Sequence, residues 1–206
     1  MKTIAIISQK GGAGKTTLGV HLAVAAEIAK KTSVIIDLDP QASATGWADS
    51  REDDTPVVIS AQASRLPHVL KTAAEEGADI VIIDTAPHSE STALAAARAA
   101  DYILIPCRPA ILDLRAINTT IDLARLAKTP ACVVLNAVPP RGSLPEEAAE
   151  AIAGYEISVA STHIRQRMAF VHALTLGQVA QEYEPRGKAA EEIKELYMYI
   201  CKHVKI

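Results

Sequence analysis

Aromatic residues are scarce in this sequence: one tryptophan, one phenylalanine and five tyrosines among 206 residues. A core with so few large rings must be filled by aliphatic side chains, and the plentiful alanines offer helices a small-residue face against strands. Cysteine is also rare. Cys107, Cys132 and Cys201 show no C-x-x-C or paired spacing, which argues against a disulfide framework or a zinc site. The six histidines form no ligand-like pair. No window is apolar over the length of a membrane span, and the start of the chain has no basic lead or small-residue cleavage site, so a cytoplasmic protein is the expectation. Positive charge is not in excess either. Lys and Arg number 21 against 24 Asp and Glu, a net charge of −3, which argues against a surface given over wholly to nucleic acid. A local patch stays open, because residues 163–206 carry seven basic side chains against five acidic ones.

What is present is an alternation. The length suits a single domain over residues 1–206. Five short apolar runs, at residues 4–7, 34–36, 80–83, 102–105 and 132–135, do not alternate with polar residues, as expected of strands covered on both faces. Helical spacing separates them: Leu18, Leu22, Ala25 and Ala29 recur on one stripe, and residues 93–100 and 111–128 are rich in helix formers. This predicts an α/β fold with a doubly wound, mostly parallel sheet, helices on both faces, and ligands bound beyond the carboxyl ends of the strands. Residues 50–56, SREDDTP, and 138–147, VPPRGSLPEE, read as surface loops, the second leading into a helix. Ala189, Ile193, Leu196, Ile200 and Val204 predict a terminal helix packed on the domain, since acids and bases share its polar side.

The loop SQKGGAGKTT, residues 8–17, follows the first apolar run. Between a parallel strand and a helix, a glycine-rich loop aims backbone N–H groups into one cavity, where the helix dipole favours phosphate oxygens. Gly14, Lys15 and Thr16 match the end of the P-loop pattern G-x-x-x-x-G-K-[ST], while Gln9 stands at its first glycine position. The cradle would comprise Gly11, Gly12, Ala13, Gly14, Lys15, Thr16 and Thr17, with Lys15 on the β- and γ-phosphates and the Thr16 hydroxyl on Mg²⁺. Lys10 is unexplained by that pattern.

The form K-G-G-x-G-K-T-T at residues 10–17 resembles the deviant Walker A motif of the ParA/MinD family of P-loop NTPases. In that family the early lysine reaches across a nucleotide-sandwich dimer to phosphates held by the other subunit. The resemblance implies that Lys15 serves its own ATP and Lys10 the partner's, coupling ATP to homodimerisation. It continues at residues 37–43, DLDPQAS, which look like the family's switch I segment; by that match Asp37 lies near the Mg²⁺ shell and Asp39 orients the attacking water. The other reading of these residues is an Asp-rich strand end followed by a helix cap. Residues 81–87, VIIDTAP, have the Walker B arrangement, with Asp84 at a strand's carboxyl end holding Mg²⁺. Asn136, in VVLNAVPPRG, stands where relatives place an adenine-bonding asparagine; a buried amide tying down the loop would look the same in sequence.

The implied function is that of a short ParA-type ATPase without an N-terminal helix-turn-helix. Such a protein hydrolyses ATP slowly with Mg²⁺ until a ParB-type centromere-binding partner stimulates it, and its dimer binds nucleoid DNA non-specifically to segregate plasmids or chromosomes. Arg165 and Arg167 are the leading DNA-contact candidates, with Lys188, Lys194, Lys202 and Lys205 behind them, although an arginine pair on a helix is commonly a solvated or salt-bridged face. The alternative is a MinD-like ATPase that positions division machinery through a membrane-binding terminal helix, but the mixed charge of EEIKEL leads us to expect no membrane. Cysteine placement does not fit an iron-sulfur relative, and no pocket motif supports a synthetase.

Overall fold

The apolar runs become strands because helices cover them on both sides, leaving no face for polar alternation. In the computed structural model, which describes residues 1–205, these runs form β1 (Lys2–Ile6), β2 (Ser33–Asp37), β4 (Ile80–Asp84), β5 (Tyr102–Cys107) and β6 (Ala131–Leu135). Every residue of β2, β4 and β5 is buried. Two further strands, β3 (Val57–Ser60) and β7 (Ser158–Val159), complete a seven-stranded sheet of order β3-β2-β4-β1-β5-β6-β7. All six pairings are parallel. The added strands lie at the two edges, where β3 is partly exposed and β7 is only two residues long, so neither shows a buried apolar run in sequence.

Alternate side chains of each strand enter two separate cores. Ile4, Ile6, Ile35, Ile80, Ile82 and Leu104 pack with α1 (Lys15–Ile28), α2 (Ser43–Asp49), α7 (Met168–Thr175), α8 (Ala180–Tyr183) and α9 (Lys188–Val204). Ala5, Ile36, Val81, Ile83, Ile103 and Val133 pack with α3 (Leu66–Glu75), α4 (Glu90–Ala99), α5 (Ile111–Ala127) and α6 (Leu144–Ala153). The expected doubly wound sheet is therefore present. The terminal helix docks as expected: Ala189, Ile193, Leu196, Tyr197, Ile200 and Val204 are buried in the first core. Residues 50–56 do connect elements as a loop, yet the side chain of Arg51 within it is only 6% exposed and pairs with Glu182 at 2.5 Å. Arg165 and Arg167 do not share a helix. Arg165 bridges to Val138 in extended backbone, and Arg167 is the N-cap of α7.

Strand register positions the site. Asp84, the last residue of β4, is the register partner of both Ile6 and Asp37. The glycine loop leaves β1 immediately beyond Ile6, so three predicted site segments converge at the carboxyl ends of adjacent strands. This is where open parallel sheets bind ligands.

Candidate nucleotide site

Residues 7–14 turn from β1 into α1 in a conformation that two glycines permit. Gly12 and Gly14 have φ of +70° and +94°, a region costly for residues with a Cβ. At Gly14 space is also closed: an added Cβ would stand 2.1 Å from Nδ2 of Asn136. That amide donates to the Ala13 carbonyl at 2.7 Å, while the Asn136 N–H donates to the Cys107 carbonyl at 2.8 Å. Asn136 thus clamps the loop from β6, which is the loop-tying role left open in the sequence. Lys15 begins α1 and is buried; its Nζ donates to the Lys10 carbonyl at 3.4 Å. Burial lowers its pKa, opposed by the charges of Asp84 and Asp39.

Thr16 donates its hydroxyl to Oδ2 of Asp84 at 2.6 Å. The other oxygen, Oδ1, is buried with no hydrogen-bond partner, an expensive state for a carboxylate. Burial pushes the Asp84 carboxyl up to about 7; the Thr16 hydrogen bond and Lys15 oppose this, and Asp37 and Asp39 add to it. An orphaned carboxylate oxygen beside a threonine hydroxyl, amid more acids than bases, fits a divalent cation. Thr16 and Asp84 are the groups that would hold Mg²⁺. Among the described residues no cluster of three or more His, Cys, Asp or Glu forms a cage.

The two switch aspartates behave differently. Asp37 is 1% exposed, and its oxygens are occupied: Oδ1 accepts the Asp39 N–H at 3.0 Å, and Oδ2 accepts the N–H groups of Ala44 and Thr45 and the Thr45 hydroxyl, each at 3.1 Å. It therefore fastens the start of α2, the capping role that was the other reading of this segment. Asp39 remains half-exposed, with Oδ1 accepting the Gln41 N–H. It lines a cleft of about 550 Å³ together with Gly12, Gly14, Lys15, Thr16 and Thr17.

The same cleft is walled by Trp47, Pro87 and Leu174, which sequence reading did not place there. The single tryptophan beside a phosphate loop was an available signal; Leu174, from α7, had none. Buried His21 was also missed. Its Nδ1–H donates to the Thr17 carbonyl at 2.7 Å, and its Nε2 accepts the Ala180 N–H at 3.0 Å, joining α1 to α8. Arg165 and Arg167 are not in the cleft. Arg167 pairs with Glu192 at 2.5 Å, and the Arg165 guanidinium donates to the Pro139 and Pro140 carbonyls at 3.2 Å.

Residues 4–178 match the CobQ/CobB/MinD/ParA nucleotide binding domain. The chain belongs to this family. Among curated proteins, the "Maintenance of carboxysome distribution protein A" of Gloeobacter kilaueensis is 34% identical over 208 residues, covering 98% of this chain and 94% of that protein. The fold is shared with the solved apo McdA of Cyanothece (TM-score 0.80, 20% identity, covering 97% of this chain and 99% of that one). It is shared too with the septum site-determining protein MinD of Pyrococcus horikoshii, solved with Mg-ADP (TM-score 0.78, 20% identity, covering 98% and 96%). This chain is accordingly a ParA/MinD-type P-loop ATPase.

As a ParA/MinD-type site, the geometry divides the work of phosphoryl transfer. The loop N–H groups and Lys15 would bind phosphate oxygens, and Asp39 stands on the cleft wall, where it would orient a water nucleophile. When bound, Mg²⁺ neutralises charge that develops on the phosphate oxygens. What the chain's own residues would contribute is to orient groups and fix charges in advance.

Proposed function

We propose that this ATPase pairs with a second copy on ATP, binds nucleoid DNA as the dimer, and distributes a cargo over that DNA. The observation that carries the reading is Lys10. It lies five residues before Lys15, on the phosphate loop but outside the residues lining the cleft. Its ammonium makes no ion pair among the described residues. A cation so placed is spare for its own nucleotide and suited to the phosphates of a facing copy, where desolvation at the interface strengthens the attraction.

DNA binding would rest on phosphate contacts without base reading. Arg167 is already paired with Glu192 and Arg165 with two carbonyls, so the exposed Lys188, Lys194, Lys202 and Lys205 carry more of the patch than the arginines do. Doubling such a patch by dimerisation makes binding ATP-gated and salt-dependent. The cargo has two classes: a plasmid or chromosome carried by a ParB-type partner, or a protein assembly. The 34% identity to a carboxysome-distribution protein over nearly the whole chain favours the second. A membrane-anchored reading loses support because the apolar face of α9 is already buried in the core.

Light scattering after size exclusion tests the reading. The wild type should be monomeric with ADP and dimeric with a non-hydrolysable ATP analogue and Mg²⁺. Lys10→Ala should keep nucleotide binding and lose the dimer; wild-type dimerisation and turnover in that variant would refute the proposal.

A further inference from the structure

A second cation stands on the same rim as Lys10. Arg108 follows the last residue of β5, the strand beside β1, and its Nη2 approaches to 3.5 Å from the position a Cβ would occupy on Gly12. Gly12 lies at the exposed crest of the phosphate loop, and Arg108 is itself exposed. Its main chain is fixed, since the Arg108 carbonyl accepts the Ala110 N–H at 2.8 Å. Its guanidinium, among the described residues, has neither a hydrogen-bond acceptor nor a carboxylate partner. Arg51, Arg165 and Arg167 provide the contrast, each being spent on protein acceptors.

An unpaired guanidinium held against a phosphate loop adds positive potential where the loop already carries Lys10 and Lys15. Arg108 is nonetheless absent from the lining of the cleft, while its guanidinium lies against the exposed crest. We propose that Arg108 is a second trans-acting cation, contacting the triphosphate of a facing copy alongside Lys10. A guanidinium suits this role because its rigid planar fork fixes two parallel hydrogen bonds to phosphate oxygens, where an ammonium acts as a freely rotating point charge. The proposal rests on the ATP-dimer reading above. It extends that reading by making the interface doubly cationic, so that the triphosphate is held by two different side chains of the opposite subunit.

The test compares Arg108→Ala and Arg108→Lys with the wild type in three measurements. The first is the affinity of the monomer for a fluorescent ADP analogue, which should be the same in all three proteins. The second is the dimer dissociation constant with a non-hydrolysable ATP analogue and Mg²⁺, which should rise about tenfold in Arg108→Ala and recover in part in Arg108→Lys. The third is turnover at protein concentrations that saturate the dimer, which should fall about 10- to 100-fold in Arg108→Ala. Unchanged dimerisation and turnover in Arg108→Ala, with a normal wild-type dimer, would overturn the proposal. Weakened ADP binding by the monomer would also overturn it, by placing Arg108 on its own nucleotide. A wild type that stays monomeric with the analogue would instead overturn the dimer reading.

Discussion

At the residue scale the site depends on a few atoms with no room to move. Gly14→Ala would drive a methyl group into the Asn136 amide, which lies 2.1 Å from that position, and so release the Ala13 carbonyl. Nucleotide binding should fall at least tenfold by calorimetry while the circular dichroism spectrum is retained. Asp84→Asn removes the charge that faces the cation, and Mg²⁺-dependent phosphate release should drop by about 100-fold or more. His21 makes a prediction about pH. Burial lowers its pKa to about 4, and its Nε2 accepts an N–H, so protonation would set donor against donor. The unfolded chain titrates near 6.5 and binds the proton first as pH falls. Stability present at pH 7 should therefore decline by about 2 kcal/mol at pH 5, with the slope given by proton linkage. Urea titrations at both values, repeated on His21→Leu, should show the pH dependence flattened in the variant.

At the scale of elements, the connections between helices on one face of the sheet are as specific as the site. Arg51 joins the loop after α2 to α8 through Glu182, donates to the carbonyls of Thr55 and Gly177, and stacks over Trp47 at 5.1 Å. Arg51→Ala strands a half-buried glutamate and should cost about 1–3 kcal/mol in a denaturant titration. None of this was legible in the polar string SREDDTP, because sequence shows charge but not the partner 131 residues away. The five central strands were legible because burial on both faces leaves an unbroken apolar run. β3 and β7 were not, since an edge strand needs less apolar surface and two residues make no pattern. The phosphate loop, Asp39 and Asp84 were readable as motifs at strand ends. The hydrogen bonds that Asp37 makes to the start of α2 and Asn136 to the Ala13 carbonyl were not, since a residue's type does not show its partners.

At the scale of the whole molecule, the sheet brings the carboxyl ends of β1, β2 and β4 together and leaves the crest of the loop exposed. If the dimer is the DNA-binding form, Asp39→Ala should bind ATP, fail to hydrolyse it and persist as a dimer. Its DNA affinity should then exceed that of the ADP-bound wild type and fall steeply between 50 and 200 mM salt; a logarithmic slope near zero would exclude phosphate contacts. The packing of α2 against the far end of the chain has a practical consequence. The molecule's lone indole belongs to Trp47, which lines the cleft and donates Nε1–H to the Gln178 carbonyl at 3.2 Å. Its ultraviolet emission is therefore a native optical gauge of that wall: unlabelled protein in a cuvette will report ligand arrival, and any loosening of α2 from the α7–α8 connection, as a change in intensity or colour.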